Sequence, residues 1–331
     1  MTFPRLSEDP RYGFAIGRVR ALEPLLLDRP RYDRFARAKN GDDFLAALAE
    51  SAYGRFIEGG AGGITQAFDR AASDNFAFFA AYALDDWLLR LFSVATAFHR
   101  LKVSIKNALA QGTNEVTVPG ELAVPPAESV SRAVADAFAA SAASRNPAAA
   151  DMALDRSMQQ VQLQIAKASD FLSGYFGLHA DIENLRTLAR LKANDGPGRD
   201  TRGEMAAAFL EGGTLTHASL VSALAQPWDA ALDLLAKAPP YGAGSDEFRD
   251  YLEQGRSAAT DRRSFVRMER LGREQELRYL RQARFATFGH EPLIAFFLLR
   301  ENELRNLRLL HAAKLGGLAD EATQELVAYV E

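Results

Sequence analysis

Asp85 and Asp86 are the adjacent acids in this chain best suited to chemistry. Paired carboxylates are hard oxygen ligands for a divalent cation that also meets a substrate phosphate. On a helix they could serve a metal-dependent enzyme of the isoprenoid-transfer type. Leu89 stands where a third acid would be expected, however, and no second acidic motif follows. The five histidines, His99, His179, His217, His290 and His311, all lack an Asp or Glu three residues earlier. The Glu-x-x-His pairs of a di-iron bundle are therefore missing. His179 near Asp181 and Glu183 could ligate a metal, but a lone exposed histidine is the commoner explanation. The run from Glu58 to Ile64, with glycines at 59, 60, 62 and 63, lacks the Gly-Lys-Ser/Thr of a phosphate cradle. With no cysteine, thiolate sites and disulfides are excluded. The expectation is a chain with no catalytic residue, no cofactor and no metal. The Asp85–Asp86 enzyme stands as the alternative.

The elements that carry these residues read as helices throughout. Ala, Leu, Arg and Glu, which are strong helix formers, dominate. Apolar residues recur at spacings of three and four, as at Phe44, Leu45 and Leu48 or at Leu304, Leu307 and Leu310. Val116-Thr117-Val118 is the one strand-like fragment, too short for a sheet. Pro119-Gly120, Pro125-Pro126, Gly196-Pro197-Gly198, Gly212-Gly213, Pro239-Pro240 and Gly289 to Pro292 punctuate the helices, and Asn146-Pro147 breaks an alanine-rich stretch. The predicted class is all-α. At 331 residues the chain can bury a large core, and its net charge of -4 argues against a nucleic-acid partner. The start, Met1-Thr2-Phe3-Pro4-Arg5, predicts no secretory signal. The apolar stretches Phe76–Leu84 and Leu293–Leu299 fall far short of the ~20 residues that span a bilayer.

A helical signature recurs along the chain. Asp181-Ile182-Glu183-Asn184-Leu185-Arg186 is followed by Lys192, and Glu303-Leu304-Arg305-Asn306-Leu307-Arg308 by Lys314, each lysine eight positions after its Asn. A fainter copy starts at His99, with Arg100 in the Asn position and Ala108 in the Lys position. A further echo links Asp43 to Tyr53-Gly54 with Asp229 to Tyr241-Gly242. Unequal spacing means diverged modules, and the predicted division is three helical lobes, 1–125, 126–232 and 233–331. An Asn at the rim of a buried leucine stripe needs hydrogen-bond partners, so Asn184 and Asn306 are expected to tie their helices to neighbouring loops. Lys192 and Lys314 fall near helix ends, where a cation complements the dipole. Arg308, with Glu301 and Arg305, reads as a mutually paired solvated face. The arginine-rich segment around Arg262, Arg263, Arg267, Arg270, Arg273, Arg278, Arg281 and Arg284 is a candidate partner surface, centred on Arg267, Arg270, Arg278 and Arg281. Its interspersed acids also allow pairing within the helix.

The ending, from Pro292 through Glu303-Leu304-Arg305-Asn306-Leu307-Arg308-Leu309-Leu310 to Lys314-Leu315-Gly316-Gly317-Leu318, resembles the C-terminal signature of a rotary ATPase subunit. That subunit is called C in bacterial and archaeal V-type ATPases and d in the eukaryotic V-ATPase. Tyr12-Gly13-Phe14-Ala15-Ile16-Gly17-Arg18-Val19-Arg20 is similar to the family's opening helix, and Leu48 to Gly54 resembles its next block. Residues 55 to 175 carry little of the likeness. Arg100 and Ala108 depart from the pattern, as does the long arginine-rich helix before Phe285.

The resemblance implies a non-catalytic protein of three similar helical lobes around a pseudo-threefold axis, shaped like a funnel. Its implied partners are the central-shaft subunits (D and F type) and the membrane proteolipid ring. Its implied task is to transmit torque, coupling ATP hydrolysis or synthesis to proton or sodium transport. Its implied place is the cytoplasmic side of the membrane, as a peripheral protein.

Overall fold

The computed structural model describes residues 4–57, 63–113, 115–120, 127–144, 147–194, 196, 198–237, 245–261 and 265–330. Among these the chain is all-α, with no strand, and Val116–Val118 is loop. The glycine run at 58–62, Pro125-Pro126, Asn146, Pro197, Pro239-Pro240, Tyr241-Gly242 and Arg262-Arg263 lie outside the described residues.

The first helices are α1 (Gly13–Leu22), α2 (Arg29–Ala36), α3 (Gly41–Ala49) and α4 (Ile64–Tyr82). Their starts follow from sequence. Asp28 caps α2 by accepting from Arg31 N at 3.1 Å, and Asn40 caps α3 by accepting from Asp43 N at 2.9 Å. Each cap satisfies a backbone donor that the helix itself leaves open. Next come α5 (Asp86–Gln111), α6 (Ala127–Ser144), α7 (Pro147–Ala166), α8 (Asp170–Ala193) and α9 (Thr201–Ala208). Then follow α10 (His217–Leu224), α11 (Trp228–Leu235) and α12 (Ser245–Asp261). The order closes with α13 (Val266–Leu280), α14 (Glu291–Leu315) and α15 (Asp320–Gln324).

The chain divides into two compact units. The middle unit is built on Asp85–Arg256, and the terminal unit joins Arg5–Leu84 to Ser257–Glu331. In the terminal unit α14 is the central element. Leu304, Leu307 and Leu310 are fully buried and pack with Phe35, Phe44, Leu48 and Phe68 from α2, α3 and α4, and with Val327. A helix buried on most sides needs no polar face, which is why α14 carries apolar residues almost all round over Leu293–Leu299. Asn75 on α4 is completely buried at this crossing, and its Nδ2 donates to Phe297 O at 3.1 Å and Glu301 Oε1 at 2.7 Å.

The middle unit packs Phe98, Leu101 and Ile105 of α5 against Ala133 and Ala137 of α6 and Ala150 and Leu154 of α7. Alanines at these facing positions let helices approach closely. α8 is the counterpart of α14: Phe171, Leu172, Leu185 and Leu188 are buried, and Gln159 Nε2 on α7 donates to Phe176 O at 2.9 Å.

Candidate functional site

The recurring signature sits on the two most buried helices, α8 and α14, and in each an acid precedes the Asn by three residues. Asn184 (1% exposed) meets the backbone of Leu210 with both ends of its amide, Nδ2 donating to Leu210 O at 2.8 Å and Oδ1 accepting from Leu210 N at 2.8 Å. One turn earlier, Asp181 accepts three hydrogen bonds at 2.9 Å. Oδ2 takes those from Thr214 N and Thr214 Oγ1, and Oδ1 takes that from Leu215 N. The segment between α9 and α10 is thus clamped to α8 at two points. Burial pushes the Asp181 carboxyl up, and its three donors hold it back.

The clamp explains the two glycines in that segment. Gly212 has φ 100°, and a Cβ there would also lie 2.4 Å from Leu163 Cδ1. A Cβ on Gly213 would lie 2.1 Å from Asp181 Oδ1, so the loop reaches the carboxylate only because position 213 lacks a side chain. Lys192 completes the module. Its Nζ donates to Ala223 O at 3.1 Å, Leu224 O at 3.3 Å and Gln226 O at 2.5 Å, and it lies 5.2 Å from the Trp228 ring centroid. The carbonyls left open at the end of α10 are satisfied by this one cation.

α14 repeats the arrangement with different partners. Asn306, fully buried, donates from Nδ2 to Ala328 O at 2.9 Å, and Asn302 Nδ2 donates to the same oxygen at 3.1 Å. Glu303, in the position of Asp181, accepts from Tyr53 OH at 2.6 Å and from Leu27 N. Burial raises the Glu303 carboxyl to about 7, with Tyr53, Leu27, Arg300 and Arg31 opposing the shift. Lys314 donates to the exposed side chain of Asp320 at 2.6 Å rather than to a helix end. Both modules therefore use the acid to hold one segment and the Asn to hold the backbone of another residue.

The remaining signature residues are peripheral. Arg186 pairs with Glu183 one turn back. Arg308 donates to Phe68 O at 3.4 Å and Asp69 Oδ1 at 3.3 Å. In the faint first copy, on α5, Arg100 is exposed and Ala108 is buried. Lys102 of that copy reaches Asp155 on α7 at 2.5 Å.

The arginines of α13 are pulled toward their own unit. Arg270 and Arg278 lie 3.9 and 4.0 Å from Glu274, Arg273 pairs with the buried Glu276, and Arg281, just past the helix, donates to Val330 O at 2.8 Å. Arg267, Arg270 and Arg281 are partly buried, while Arg278 is exposed. Asp85 precedes α5 and Asp86 lies in its first turn, where an acid complements the helix dipole. Among the described residues no group of His, Asp and Glu is placed to hold a metal ion, His179, Asp181 and Glu183 included. No helix among them is long and apolar enough to cross a membrane.

Asp181 and Glu303 are the residues whose importance motif reading passed over. The signal for them lay in the motif itself, an acid three positions before each Asn. The ATP synthase (C/AC39) subunit family matches the chain over residues 15–326, which takes in both modules with Lys192 and Lys314. No match to a curated protein was found. A likeness that runs through nearly all of the described helices, and through both central ones, places this chain in the ATP synthase (C/AC39) subunit family.

Proposed function

We propose that this chain is the non-catalytic rotor subunit that joins the central shaft of a V-type ATPase to the membrane proteolipid ring and transmits torque between them. The observation that carries this reading is the family match over residues 15–326. The physical support is stiffness. A torque coupler must not yield between its two joints, and α8 and α14 are each buried helices fixed by a carboxylate and an amide to other segments. Buried hydrogen bonds of this kind, complete around Asn184 and Asp181, oppose slippage of one helix past its neighbours.

The three-lobed division at 1–125, 126–232 and 233–331 belongs to the same proposal, and the recurrence of acid, Asn and Lys on α8 and α14 supports it. So does the assignment of shaft subunits of D and F type as partners, and a peripheral place on the cytoplasmic face. Charge-complementary joints suit a contact that must carry load and still assemble. Of the four candidate joint arginines, Arg278 is the exposed one, which makes it the first to test, before Arg267, Arg270 and Arg281.

The test is purification of the tagged chain from its native membranes in gentle detergent, with mass spectrometry of the proteins that accompany it. Catalytic head subunits, shaft subunits and a small proteolipid are the expected companions. Recovery without any of them, even after crosslinking, would overturn the rotor reading and return attention to Asp85 and Asp86.

A further inference from the structure

The terminal unit contains a cleft of about 550 Å³ between α1 and the end of α4, floored by α14. That volume lies in the range of small-molecule sites, which are mostly apolar with a few convergent polar groups. The walls are apolar and aromatic: Leu25 beyond α1, Phe78 and Tyr82 on α4, and Phe296 on α14. Two arginines line the space without a hydrogen bond among the described residues. Arg300 is only 9% exposed, and its nearest acid is Asp74 Oδ2 at 3.8 Å, beyond hydrogen-bond reach. Its guanidinium lies 5.7 and 5.9 Å from the ring centroids of Tyr53 and Phe296. Among the described residues it makes no hydrogen bond. Arg18, exposed on α1, has neither a hydrogen bond nor an ion pair among them.

The acids of the cleft do not cancel these charges. Asp74 is engaged by Arg55 through the same Oδ2 at 2.5 Å. Glu303 has both oxygens bonded, to Tyr53 OH and to Leu27 N. The Arg300 guanidinium carries five donors, keeps its proton and opens onto the cleft, so an anion entering there meets a standing cation with donors to spare. Planar two-pronged donors match a carboxylate.

We propose that this cleft binds a small amphipathic carboxylate, its head on Arg300 and Arg18 and its apolar chain along Phe78, Tyr82 and Phe296. The site is independent of the rotor reading, since it rests on the cleft alone.

The experiment is isothermal titration of the purified full chain with monomeric laurate, beside neutral dodecanol and anionic phospholipid vesicles. Saturable one-to-one binding of laurate is expected, with dodecanol at least tenfold weaker. Arg18→Gln alters an exposed side chain with no hydrogen bond or ion pair among the described residues, and it should weaken laurate about tenfold, the effect of one lost charge-assisted bond. Arg300→Gln should do the same, with circular dichroism to confirm its fold. Ala81→Trp, at an exposed wall position near the end of α4, should abolish binding by filling the cleft. Absence of saturable laurate binding would overturn the proposal, as would equal affinity for dodecanol or indifference to both Arg18→Gln and Ala81→Trp. Binding to vesicles but not to monomeric laurate would also overturn it and assign the arginines to a membrane surface.

Discussion

The two anchoring asparagines look alike in sequence and should differ several-fold in what they contribute to stability. Replacing Asn184 by Ala removes both hydrogen bonds to Leu210 and leaves that residue's N–H and C=O without their side-chain partner. Each net bond contributes about 1 kcal/mol, and each orphaned buried group costs about 1–3 kcal/mol. Leu210 is half-buried and water can reach part of it, so the lower end applies and the expected loss is about 2–4 kcal/mol. Replacing Asn306 removes its bond to Ala328 O, which Asn302 still reaches at 3.1 Å, and its side-chain interaction with Tyr32. It also removes Asn306 Oδ1, a buried oxygen with no partner. The expected loss is about 1 kcal/mol, mostly from lost packing.

Urea unfolding of the purified variants measures both. The two tryptophans, Trp87 and Trp228, lie in the middle unit, so their fluorescence follows Asn184→Ala, and far-UV circular dichroism follows Asn306→Ala. The units can unfold in separate steps, so each probe is fitted on its own. An Asn306→Ala loss equal to or larger than that of Asn184→Ala would refute this reasoning. It would mean that the partner count around the amide does not set the cost.

Gly213→Ala should destabilise the middle unit by about 2–4 kcal/mol, because a Cβ 2.1 Å from Asp181 Oδ1 must push the loop off the carboxylate, and urea unfolding reads the shift. Lys192→Met should cost about 1–2 kcal/mol by uncapping α10, while Lys314→Met, whose partner Asp320 is exposed, should cost well under 1 kcal/mol. Glu303 titrates near 7 when folded, against an ordinary value of 4.5, so the folded chain holds this proton more tightly than the unfolded one. Its contribution is whole below about pH 4.5 and is lost as pH rises through 7, a fall of up to about 3 kcal/mol. Glu303→Gln should flatten that part of the stability profile, and an unchanged slope between pH 4.5 and 7 would remove Glu303 as its source.

Helix content and the Asn–Lys signature were legible because both are local. Periodic leucines mark a buried face, and an Asn beside that face must find a partner within the protein. The acid of each module was not legible by the same logic, since a carboxylate on a helix ordinarily faces water. The spacing of acid to Asn marked Glu303, but its partners Leu27 and Tyr53 lie 276 and 250 residues away, and no local pattern names them. Asp181 has its donors nearer, at Thr214 and Leu215, and the glycine pair before them was the available clue. The arginines of α13 read as a charged face by composition. Leu271, Leu277 and Leu280 bury the helix deeply enough to carry Glu276 inside with them, so Arg273 meets an acid at the core edge.

The terminal unit is made from both ends of the chain, with Ser7 bonded to Glu291 across 284 residues. On a ribosome adding roughly 5–20 residues per second, Leu27 waits about 14–55 seconds for Glu303 to emerge, a span of 276 residues. During that interval Phe35, Phe44, Phe68 and Phe79 have no α14 to cover them, while the middle unit, continuous from Asp85, can already fold. Newly made copies are therefore most exposed to aggregation and to chaperone capture while the middle is being synthesised. A message broken after the middle unit would yield a product with its own core intact and an unfinished second one, open to recognition by the quality-control machinery.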